Sequence, residues 1–501
     1  MIKRQSATLS PRLKGLILLT WLILFALLLR RELFIDSLDP EISQLIEQAA
    51  EESYQGIYFQ GERIGYVRNK LSNEDGETIV EQDSHLQLNV LGNIHPIYLS
   101  LKAGLNSGSR LENFAFTFKS PFYTMDASGV ADADGLSFSL NTGSATIKDR
   151  IPFKEKPLIS TSRRPYLLDS DLTPGKKFKV PWFDPVSLSA AFSTIEYRGR
   201  EKILILGRIH NLHHFTENHS GARISSWLDD EGNVIKEESP AGFVLIKEPK
   251  FKAVQISSSD RDLLATIAVP VTGTMFSPVG VARAEYRLSL PKDTDFELSE
   301  GRQQLTNDIL TVTLESLPDV AAPGSSAQCE DLQSHLQATP YIQADHVDIK
   351  TLADQLNDNG SPKETVLNIT RWAYDNIEKR PVLGLPDALT TLKNKKGDCN
   401  EHAALVAALG RASGIPTRVA AGIVFHKQAF YYHAWNEVCI GSQWISLDAT
   451  INQIPADVSH IKFVHGDLNE QLRIGALLGQ LAIEPLTPTE QSQTPAAPGN
   501  R

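Results

Sequence analysis

The stretch that decides the fold of the C-terminal part of this chain is GDCNEHAALVAALGRASGIP, residues 397–416. Its apolar, alanine-rich part predicts one buried helix, which Gly414 ends. Asp398 at the N-cap position, with Glu401 three residues later, forms a capping-box pattern. We therefore expect the helix to begin at Cys399, so that this cysteine lies in the first helical turn.

The position of Cys399 favours a reactive thiol. A thiolate at a helix N-terminus faces unpaired backbone N–H groups and the positive end of the helix dipole, which lower its pKa. The same N–H groups can hold a developing oxyanion. Taken alone, however, a cysteine that begins a helix is more often an inert small hydrophobe. Catalysis is predicted only if a base and an acid accompany it.

A β-hairpin follows the helix. Residues 430–440 are rich in aromatic and β-branched side chains, residues 441–442 are Gly-Ser, and a second strand runs over 443–449. A two-residue turn there places Ile440 opposite Gln443, and this pairing fixes the register of the whole hairpin.

That register brings a base and an acid together. His433 and Asp448 become diagonal neighbours on the same face, where a carboxylate can fix the tautomer of an imidazole. Each residue alone is equally typical of an ordinary sheet, with His433 half-buried and Asp448 at a strand end. Their joint placement after a capped cysteine favours a catalytic site of Cys399, His433 and Asp448.

Several other residues near this segment have open roles. His402 is a competing base, since three helical steps return it near the face of the cysteine, but no carboxylate is evidently placed to orient it. Trp435 and Trp444 either wall the cleft or belong to the sheet core. Cys329 and Cys439 are expected to be structural or free thiols, and an odd number of cysteines leaves at least one thiol free.

Five ordered blocks of sequence carry a family resemblance. They are GDCNEHA at 397–403, GIPTR at 414–418, HAWNEV at 433–438, Trp444 and DAT at 448–450. Together they resemble the bacterial transglutaminase-like superfamily over roughly residues 340–484, with Asp457 and His460 beyond the three site residues.

The resemblance implies a papain-like α+β domain with Cys399 as nucleophile, His433 as base and Asp448 as the orienting acid. It implies acyl transfer with no cofactor and no metal. The superfamily includes transglutaminases, cysteine peptidases and amidases, so it indicates a mechanism and leaves the substrate open.

The N-terminus predicts a membrane segment. Residues 15–29 are apolar, basic residues precede them, and Arg30 and Arg31 follow. Fifteen apolar residues fit the core of a signal peptide or a marginal anchor, and since no small-residue cleavage site follows them we expect an uncleaved anchor within residues 1–36. The charge bias predicts that it crosses the inner membrane once, with the bulk of the chain in the periplasm or outside the cell.

The rest of the chain divides into four further segments. Residues 45–317 read as short strands and turns, which predicts an antiparallel β region of one or two domains. Residues 318–339 are a linker, residues 340–484 the transglutaminase-like domain, and residues 485–501 a disordered tail. The predicted fold class is α+β, with an N-terminal membrane helix, an antiparallel β region and a papain-like C-terminal domain.

Composition limits the partners. The 501 residues carry a net charge of −11, without the clustered basic surface that nucleic-acid binding needs. A histidine group at His210, His213, His214 and His219 has no acidic or cysteine partner at a ligand spacing, so it predicts a solvated hairpin edge rather than a metal site.

The predicted function is a membrane-anchored thiol acyl-transfer enzyme, a peptidase, amidase or transglutaminase, acting on protein or cell-wall amides outside the cytoplasm. The expected partners are a protein or peptide amide and the membrane; the oligomeric state stays open. The alternative is a noncatalytic binding or assembly module on the same fold, or a scaffold whose β region recruits partners.

Overall fold

The structure, a computed structural model, describes residues 36–37, 51–74, 77–106, 109–168, 172–219, 222–256, 268–291, 294–318, 329–358, 361–486 and 488–490. No helix within these ranges is long and apolar enough to cross a membrane. The predicted N-terminal membrane helix and the predicted single-pass location in the inner membrane are therefore not supported by the described residues. The apolar run at 15–29, residues 319–328 of the predicted linker and residues 491–501 of the predicted tail lie outside the described residues.

The predicted α+β class is also wrong as a description of this chain. Of the described residues, 50% are strand and 16% helix, so the structure is mostly β. The reason is that a very large sheet occupies the N-terminal half, whereas the longer helices are confined to residues 347–412.

One sheet dominates the N-terminal half. Its strands are β1 Asp36–Ser37, β2 Glu51–Phe59, β3 Glu62–Glu74, β4 Glu77–Val90, β5 Asn93–Leu105, β6 Leu111–Lys119, β7 Thr124–Ala131, β8 Gly135–Asn141, β9 Thr146–Pro152, β10 Lys177–Asp184, β11 Ser189–Ile205, β12 Arg208–His219, β13 Ala222–Leu228, β14 Val234–Glu238 and β15 Phe243–Glu248. They are ordered β1-β10-β11-β12-β13-β14-β15-β2 and then on to β9. The pairs are antiparallel except for β1 with β10.

The two ends of this sheet approach each other. The chain after β9 hydrogen-bonds to β10: the Leu158 N–H donates to the Pro181 carbonyl at 2.8 Å, and the Phe183 N–H donates to the Leu158 carbonyl at 2.9 Å. The rings of Phe114 on β6 and Phe183 on β10 lie 4.8 Å apart between centroids. The sheet therefore curls around an interior instead of lying open.

The remaining elements build the C-terminal half. In chain order they are α1 Lys250–Ala253, β16 Val269–Pro270, β17 Val281–Ser289, β18 Gln303–Thr306, β19 Ile309–Thr313, α2 Val347–Leu356, α3 Pro362–Asn376, β20 Glu378–Lys379, α4 Ala388–Asn394, β21 Lys396–Gly397, α5 Cys399–Ala412, β22 Thr417–His426, β23 Ala429–Ile440, β24 Gln443–Leu447, β25 Ile461–His465, α6 Leu468–Leu472, β26 Ala482–Pro485 and β27 Thr489–Glu490. Short 3-10 turns lie at Pro165–Leu167, Ser334–Leu336 and Arg473–Leu477.

Helix α5 confirms the local prediction. The Asp398 carboxylate accepts from the Asn400 N–H at 2.9 Å, and the Glu401 carboxylate accepts from the Asp398 N–H at 2.9 Å, which completes a capping box. Residues 401–411 are buried all round, in a core shared with α2, α3, α4 and the following sheet. Small residues permit this close packing: a Cβ on Gly410 would lie 2.2 Å from the Thr417 hydroxyl.

The predicted hairpin is confirmed as well. Strands β23 and β24 pair antiparallel with Ile440 opposite Gln443. The turn residues Gly441 and Ser442 both have positive φ, at 59° and 67°, as a type I′ turn requires. The sheet around the hairpin has the order β16-β23-β22-β25, with β24 attached to β23.

Residues 281–313 pack against the sheet that contains the β23–β24 hairpin. Strand β17 pairs with β19 on one side and with β26 on the other. The Tyr286 hydroxyl donates to the Val458 carbonyl at 3.0 Å, and its ring meets Phe430 edge-on. Residues before the predicted boundary at 317 therefore contact residues after the predicted boundary at 340. The domain boundaries themselves stay predictions.

A disulfide joins Cys329 to Cys439, with their Cα atoms 6.3 Å apart and a sequence separation of 110. The two cysteines to which the sequence assigned no pairing therefore form a covalent link between the segment before α2 and strand β23. Cys399 remains the free thiol of the three cysteines.

Candidate active site

Three elements converge on the thiol of Cys399. The cysteine is the first residue of α5 and is partly exposed. Its thiol interacts with the His433 ring on β23 and with the backbone N–H of Ala434 beside it, and both interactions lower the pKa of the thiol. The helix N-terminus and the hairpin thus meet at one sulfur atom, as the sequence predicts.

His433 connects the thiol to an acid. Its Nε2 lies 2.7 Å from Asp448 Oδ2, just beyond the end of β24. A carboxylate accepts, so Nε2 carries the proton, and Nδ1 is left to face Cys399. The structure therefore brings together all three predicted site residues, in the order thiol, imidazole, carboxylate.

Asp448 is buried and fully engaged. Its Oδ1 accepts from the Thr450 N–H at 2.8 Å and from the Thr450 hydroxyl at 2.5 Å. Its own backbone exchanges two hydrogen bonds of 2.9 Å with Gln453. These bonds hold the carboxylate in one orientation, which is what an acid that positions an imidazole requires.

A second histidine lies behind the acid. His460 Nε2 is 3.2 Å from Asp448 Oδ2, and His460 Nδ1 is 3.1 Å from Asp457 Oδ1. Both ring nitrogens face carboxylates, so both donate and the ring is a cation. The sequence places Asp457 and His460 within the family resemblance but assigns them no role. The sequence signal that could have indicated this pair is the spacing of three residues between Asp457 and His460.

The charges of this chain of groups depend on one another. Burial raises the pKa of Asp448, but His433 and His460 outweigh it and hold that pKa well below its ordinary value. Burial lowers the pKa of His460, but the carboxylates of Asp448 and Asp457 outweigh it, so the net shift is upward. The acid is therefore ionised throughout the neutral range.

The thiol and the imidazole shift in a coupled way. Burial raises the pKa of the Cys399 thiol, the Asp398 charge raises it further, and His433 lowers it. Burial lowers the pKa of His433, but the charges of Cys399 and Asp448 overcome this and raise it to about 10. An isolated thiolate is thus disfavoured, whereas a thiolate paired with an imidazolium is stabilised. We expect the two groups to ionise together as an ion pair.

The competing base occupies a different position. His402 is buried, and its Nδ1 lies 2.7 Å from the Asp398 carbonyl oxygen, to which it donates. Burial of the ring lowers the pKa of His402. His402 therefore stabilises the first turn of its own helix. The Asp448 carboxylate orients His433 and not His402.

The two tryptophans belong to the sheet. Trp435 is 2% exposed and stacks against His433, with ring centroids 6.2 Å apart. Trp444 is also buried and lies under the guanidinium of Arg418 at 4.1 Å. Trp435 therefore supports the imidazole from within the core rather than presenting a wall to solvent.

A cation could find ligands in the same place. One donor atom from each of His433, Asp448 and His460 lies within 4.8 Å of the other two. In the structure both Nε2 atoms hydrogen-bond to the same oxygen of Asp448. These nitrogens are N–H donors in that arrangement, so a metal would have to displace their protons.

The comparison with known families agrees with this geometry. Residues 350–449 match the family model described as the transglutaminase-like superfamily. This segment is a transglutaminase-like domain. The match begins within α2 and ends one residue after Asp448, so it contains Cys399, His433 and Asp448.

A curated relative matches part of this chain. An uncharacterised protein of Haemophilus influenzae is 32% identical over 114 residues, which is 22% of this chain and 31% of the relative. The chain thus spans about a third of the length of that curated relative.

Two solved structures are also similar. A candidate cysteine protease from Cytophaga hutchinsonii is 20% identical, covers 43% of this chain and 90% of its own, and has a TM-score of 0.26. A beta-barrel-like protein of unknown function from Brucella abortus is 9% identical, covers 40% of this chain and 97% of its own, and has a TM-score of 0.31. Likenesses this low carry no argument about function.

Proposed function

We propose that the transglutaminase-like domain hydrolyses amide bonds of proteins or peptides through a cysteine acyl-enzyme. The observation that carries the proposal is the placement of Cys399 at the N-terminus of a buried helix, in interaction with His433, whose ring hydrogen-bonds to Asp448. A nucleophile, a base in contact with it and an acid that orients the base are the three parts of covalent acyl transfer.

In the first half-reaction the Cys399 thiolate attacks the carbonyl carbon of the amide and forms a C–S bond. The oxygen takes up the negative charge, and the Cys399 N–H, which has no intrahelical acceptor at this position, is placed to receive it. The imidazolium of His433 then gives its Nδ1 proton to the leaving nitrogen, the C–N bond breaks, and a thioester remains.

In the second half-reaction His433 removes a proton from water, and the hydroxide attacks the thioester. The C–S bond breaks, a carboxylic acid leaves, and the sulfur takes back its charge beside the imidazolium. An amine in place of water would give a new amide instead. We propose hydrolysis because the thiol is partly exposed, which admits water to the thioester.

Asp448 and His460 act without touching the substrate. Asp448 accepts from His433 and stabilises the imidazolium in both half-reactions. We propose His460 as a positioning residue, since it fixes the same Asp448 oxygen and joins it to Asp457.

The pH dependence of alkylation by iodoacetamide tests the activated thiol. The disulfide leaves Cys399 as the free thiol, so the modified peptide is identified by mass spectrometry without competition from Cys329 or Cys439. We expect fast alkylation well below pH ~8.5, the ordinary thiol value, and a loss of about tenfold or more at pH 7 in His433→Ala.

A matched control is His426→Gln, which changes an exposed histidine at the end of the neighbouring strand β22. It should leave the alkylation profile unchanged. Alkylation that follows an ordinary thiol titration in both wild type and His433→Ala would overturn the proposal in favour of a noncatalytic module. Incorporation of a fluorescent primary amine into casein, faster than casein cleavage, would assign transfer rather than hydrolysis.

A further inference from the structure

A buried histidine in the first turn of α5 has no part in the proposed proton transfers. His402 is 1% exposed and is followed by the buried apolar residues 403–409. A carbonyl oxygen only accepts hydrogen bonds, so the Nδ1 atom that lies 2.7 Å from the Asp398 carbonyl oxygen carries the hydrogen. The other ring nitrogen, Nε2, is buried and bonds to no residue that the structure describes. A leucine would avoid that unsatisfied nitrogen, so the Nδ1–H bond is what a histidine contributes at this position.

The carbonyl that His402 binds belongs to the same peptide group as the N–H of the nucleophile. A trans peptide group is planar, so the Asp398 carbonyl and the Cys399 N–H point in opposite directions and rotate together. The Asp398 oxygen accepts twice from His402, from its backbone N–H at 3.1 Å and from its ring. The bond from the ring restricts this peptide more than the ordinary helix bond alone does, and it therefore fixes the direction of the Cys399 N–H.

The cap of α5 leaves the Cys399 N–H unused. The Asp398 carboxylate accepts from the N–H groups of Asn400 and Glu401, and the Asp398 N–H donates to the Glu401 carboxylate. The Cys399 N–H has no such partner among the described residues. A hydrogen bond to the carbonyl of a peptide group also polarises that group, so the ring of His402 makes the Cys399 N–H a stronger donor.

We propose that His402 is a positioning residue for the oxyanion: its Nδ1–H holds the 398–399 peptide so that the Cys399 N–H points at the oxygen of the substrate carbonyl. This role rests on the proposed acyl transfer, and His402 performs it without touching the substrate. It differs from the role of a competing base, because a ring that donates through Nδ1 to a backbone carbonyl takes no proton from the thiol. His433 activates the sulfur, whereas His402 prepares the place where negative charge develops.

Two reactions of Cys399 separate the oxyanion from the activated thiol. With p-nitrophenyl acetate the C–S bond forms at a carbonyl carbon, the carbonyl oxygen becomes an oxyanion, and p-nitrophenolate leaves as the C–O bond breaks. With iodoacetamide the C–S bond forms at a saturated carbon and iodide leaves, so no oxyanion develops. The ratio of the two second-order rate constants therefore reports the oxyanion donor. Both are measured on the full chain at one neutral pH, and the modified peptide is identified by mass spectrometry.

A matched pair of variants tests the Nδ1–H bond. His402→Leu removes the donor and fills the site with an apolar group, whereas His402→Asn places an amide N–H where Nδ1 lies. We expect the ratio of acylation to alkylation to fall about tenfold or more in His402→Leu and to return to within about threefold of the wild type in His402→Asn. Alkylation alone should keep its wild-type rate in both variants, and near-ultraviolet circular dichroism checks that each is folded.

Three outcomes would overturn the positioning role. They are an unchanged ratio in His402→Leu, a ratio that stays low in His402→Asn, which would assign the loss to the ring as a base, and a wild-type ratio no higher than that of N-acetylcysteine, which has no oxyanion donor. In each case, fast alkylation of Cys399 leaves the activated thiol standing. Alkylation of wild-type Cys399 that follows an ordinary thiol titration would instead overturn the proposed function, and the role of His402 with it.

Discussion

Two buried charge clusters lie on the same face of strand β23, four residues apart. One is centred on His433 and joins Cys399 to Asp448. The other is centred on Glu437, which contacts Arg418 at 2.6 Å and Lys462 at 2.9 Å. Both sit in the core of the same sheet, and Trp435 lies between them in the strand.

The two clusters differ in whether their charges can change. Glu437 is paired with two permanent cations, which overcome its burial and lower its pKa to about 2. Glu300 closes that cluster with contacts of 2.8 Å to both Arg418 and Lys462. In the His433 cluster one end is a partly exposed thiol whose pKa is lowered by the neighbouring imidazole. The Glu437 cluster, whose charges are all paired and fixed, stabilises the sheet, and we call it the closed cluster. The His433 cluster has an accessible group that can gain or lose a proton, as catalysis requires, and we call it the open cluster.

The substitution Cys399→Ser should break the open cluster most completely. We expect peptide-amide hydrolysis to fall by about four orders of magnitude or more, because the hydroxyl does not form the ion pair with His433. The temperature of unfolding should stay close to that of the wild type, since the two side chains differ little in size. Turnover retained in this variant would remove Cys399 from the mechanism.

An isosteric acid-to-amide change at Asp448 should separate chemistry from mere packing. Asp448→Asn is expected to lower kcat by roughly 10³–10⁴, because the amide cannot stabilise the imidazolium and favours the wrong tautomer. Activity is to be measured per mole of folded protein, titrated by iodoacetamide at high pH. A kcat within a factor of a few of wild type would contradict the orienting role.

An acid-to-amide change in the closed cluster should lower stability and leave kcat almost unchanged. Glu437→Gln removes the buried carboxylate that Arg418 and Lys462 share and leaves them with the more exposed Glu300, and we expect it to lower the free energy of unfolding by about 3–5 kcal/mol. The kcat of the folded fraction should stay near that of the wild type. Urea unfolding measures the loss, and Glu285→Gln, in an exposed pair with Arg283, is the control that should cost little. A large loss of kcat without loss of stability would erase the distinction between the clusters.

Substitution of His460 should give a smaller effect on rate. His460→Phe removes one donor from Asp448, so the pKa of that carboxylate rises and the acid limb of kcat/KM should move toward neutral pH. We expect a decrease of about tenfold in kcat at pH 7. His460→Gln keeps one N–H donor and should restore part of the rate. An unchanged pH profile in both variants would mean that His460 only fills space.

Stability measured against pH should show the two clusters on opposite sides of neutrality. The pKa of Glu437 is lowered to about 2, so its contribution is present above the unfolded value of about 4.3 and is lost as the pH falls through 2. The pKa of His433 is raised to about 10, so its contribution is present below about 6.5 and is lost as the pH rises through 10. The plot of unfolding temperature against pH should therefore be flatter on the acid side in Glu437→Gln and flatter on the alkaline side in His433→Ala. The reverse assignment would show that these groups do not control the pH response.

The sequence predicts the local parts of the site well. The capping box set the start of α5 at Cys399, because Asp398 and Glu401 bond only within one helical turn. The turn at 441–442 set the register that brings Asp448 beside His433, because a two-residue hairpin leaves one pairing. Both are short-range constraints in which the interacting residues are close in the chain.

Long-range features escaped prediction or were predicted wrongly. The Cys329–Cys439 link spans 110 residues, and nothing in the spacing of three cysteines indicates a pair. The bonds of Arg418 and Lys462 to Glu300 cross more than 100 residues in the same way. The membrane helix and the inner-membrane location were inferred from hydropathy and flanking charge, and no described helix supports either of them.

By itself, the sequence determined where α5 begins, how the β23–β24 hairpin pairs and which thiol, imidazole and carboxylate share a site. Only the tertiary structure decided that the chain is mostly β, that the ends of the large sheet meet at Leu158, and that His460 stands behind Asp448. The physical reason is the range of the forces involved. Caps and turns are settled by neighbours in the chain, whereas closure of a sheet and pairing of buried charges are settled by segments that meet only after folding.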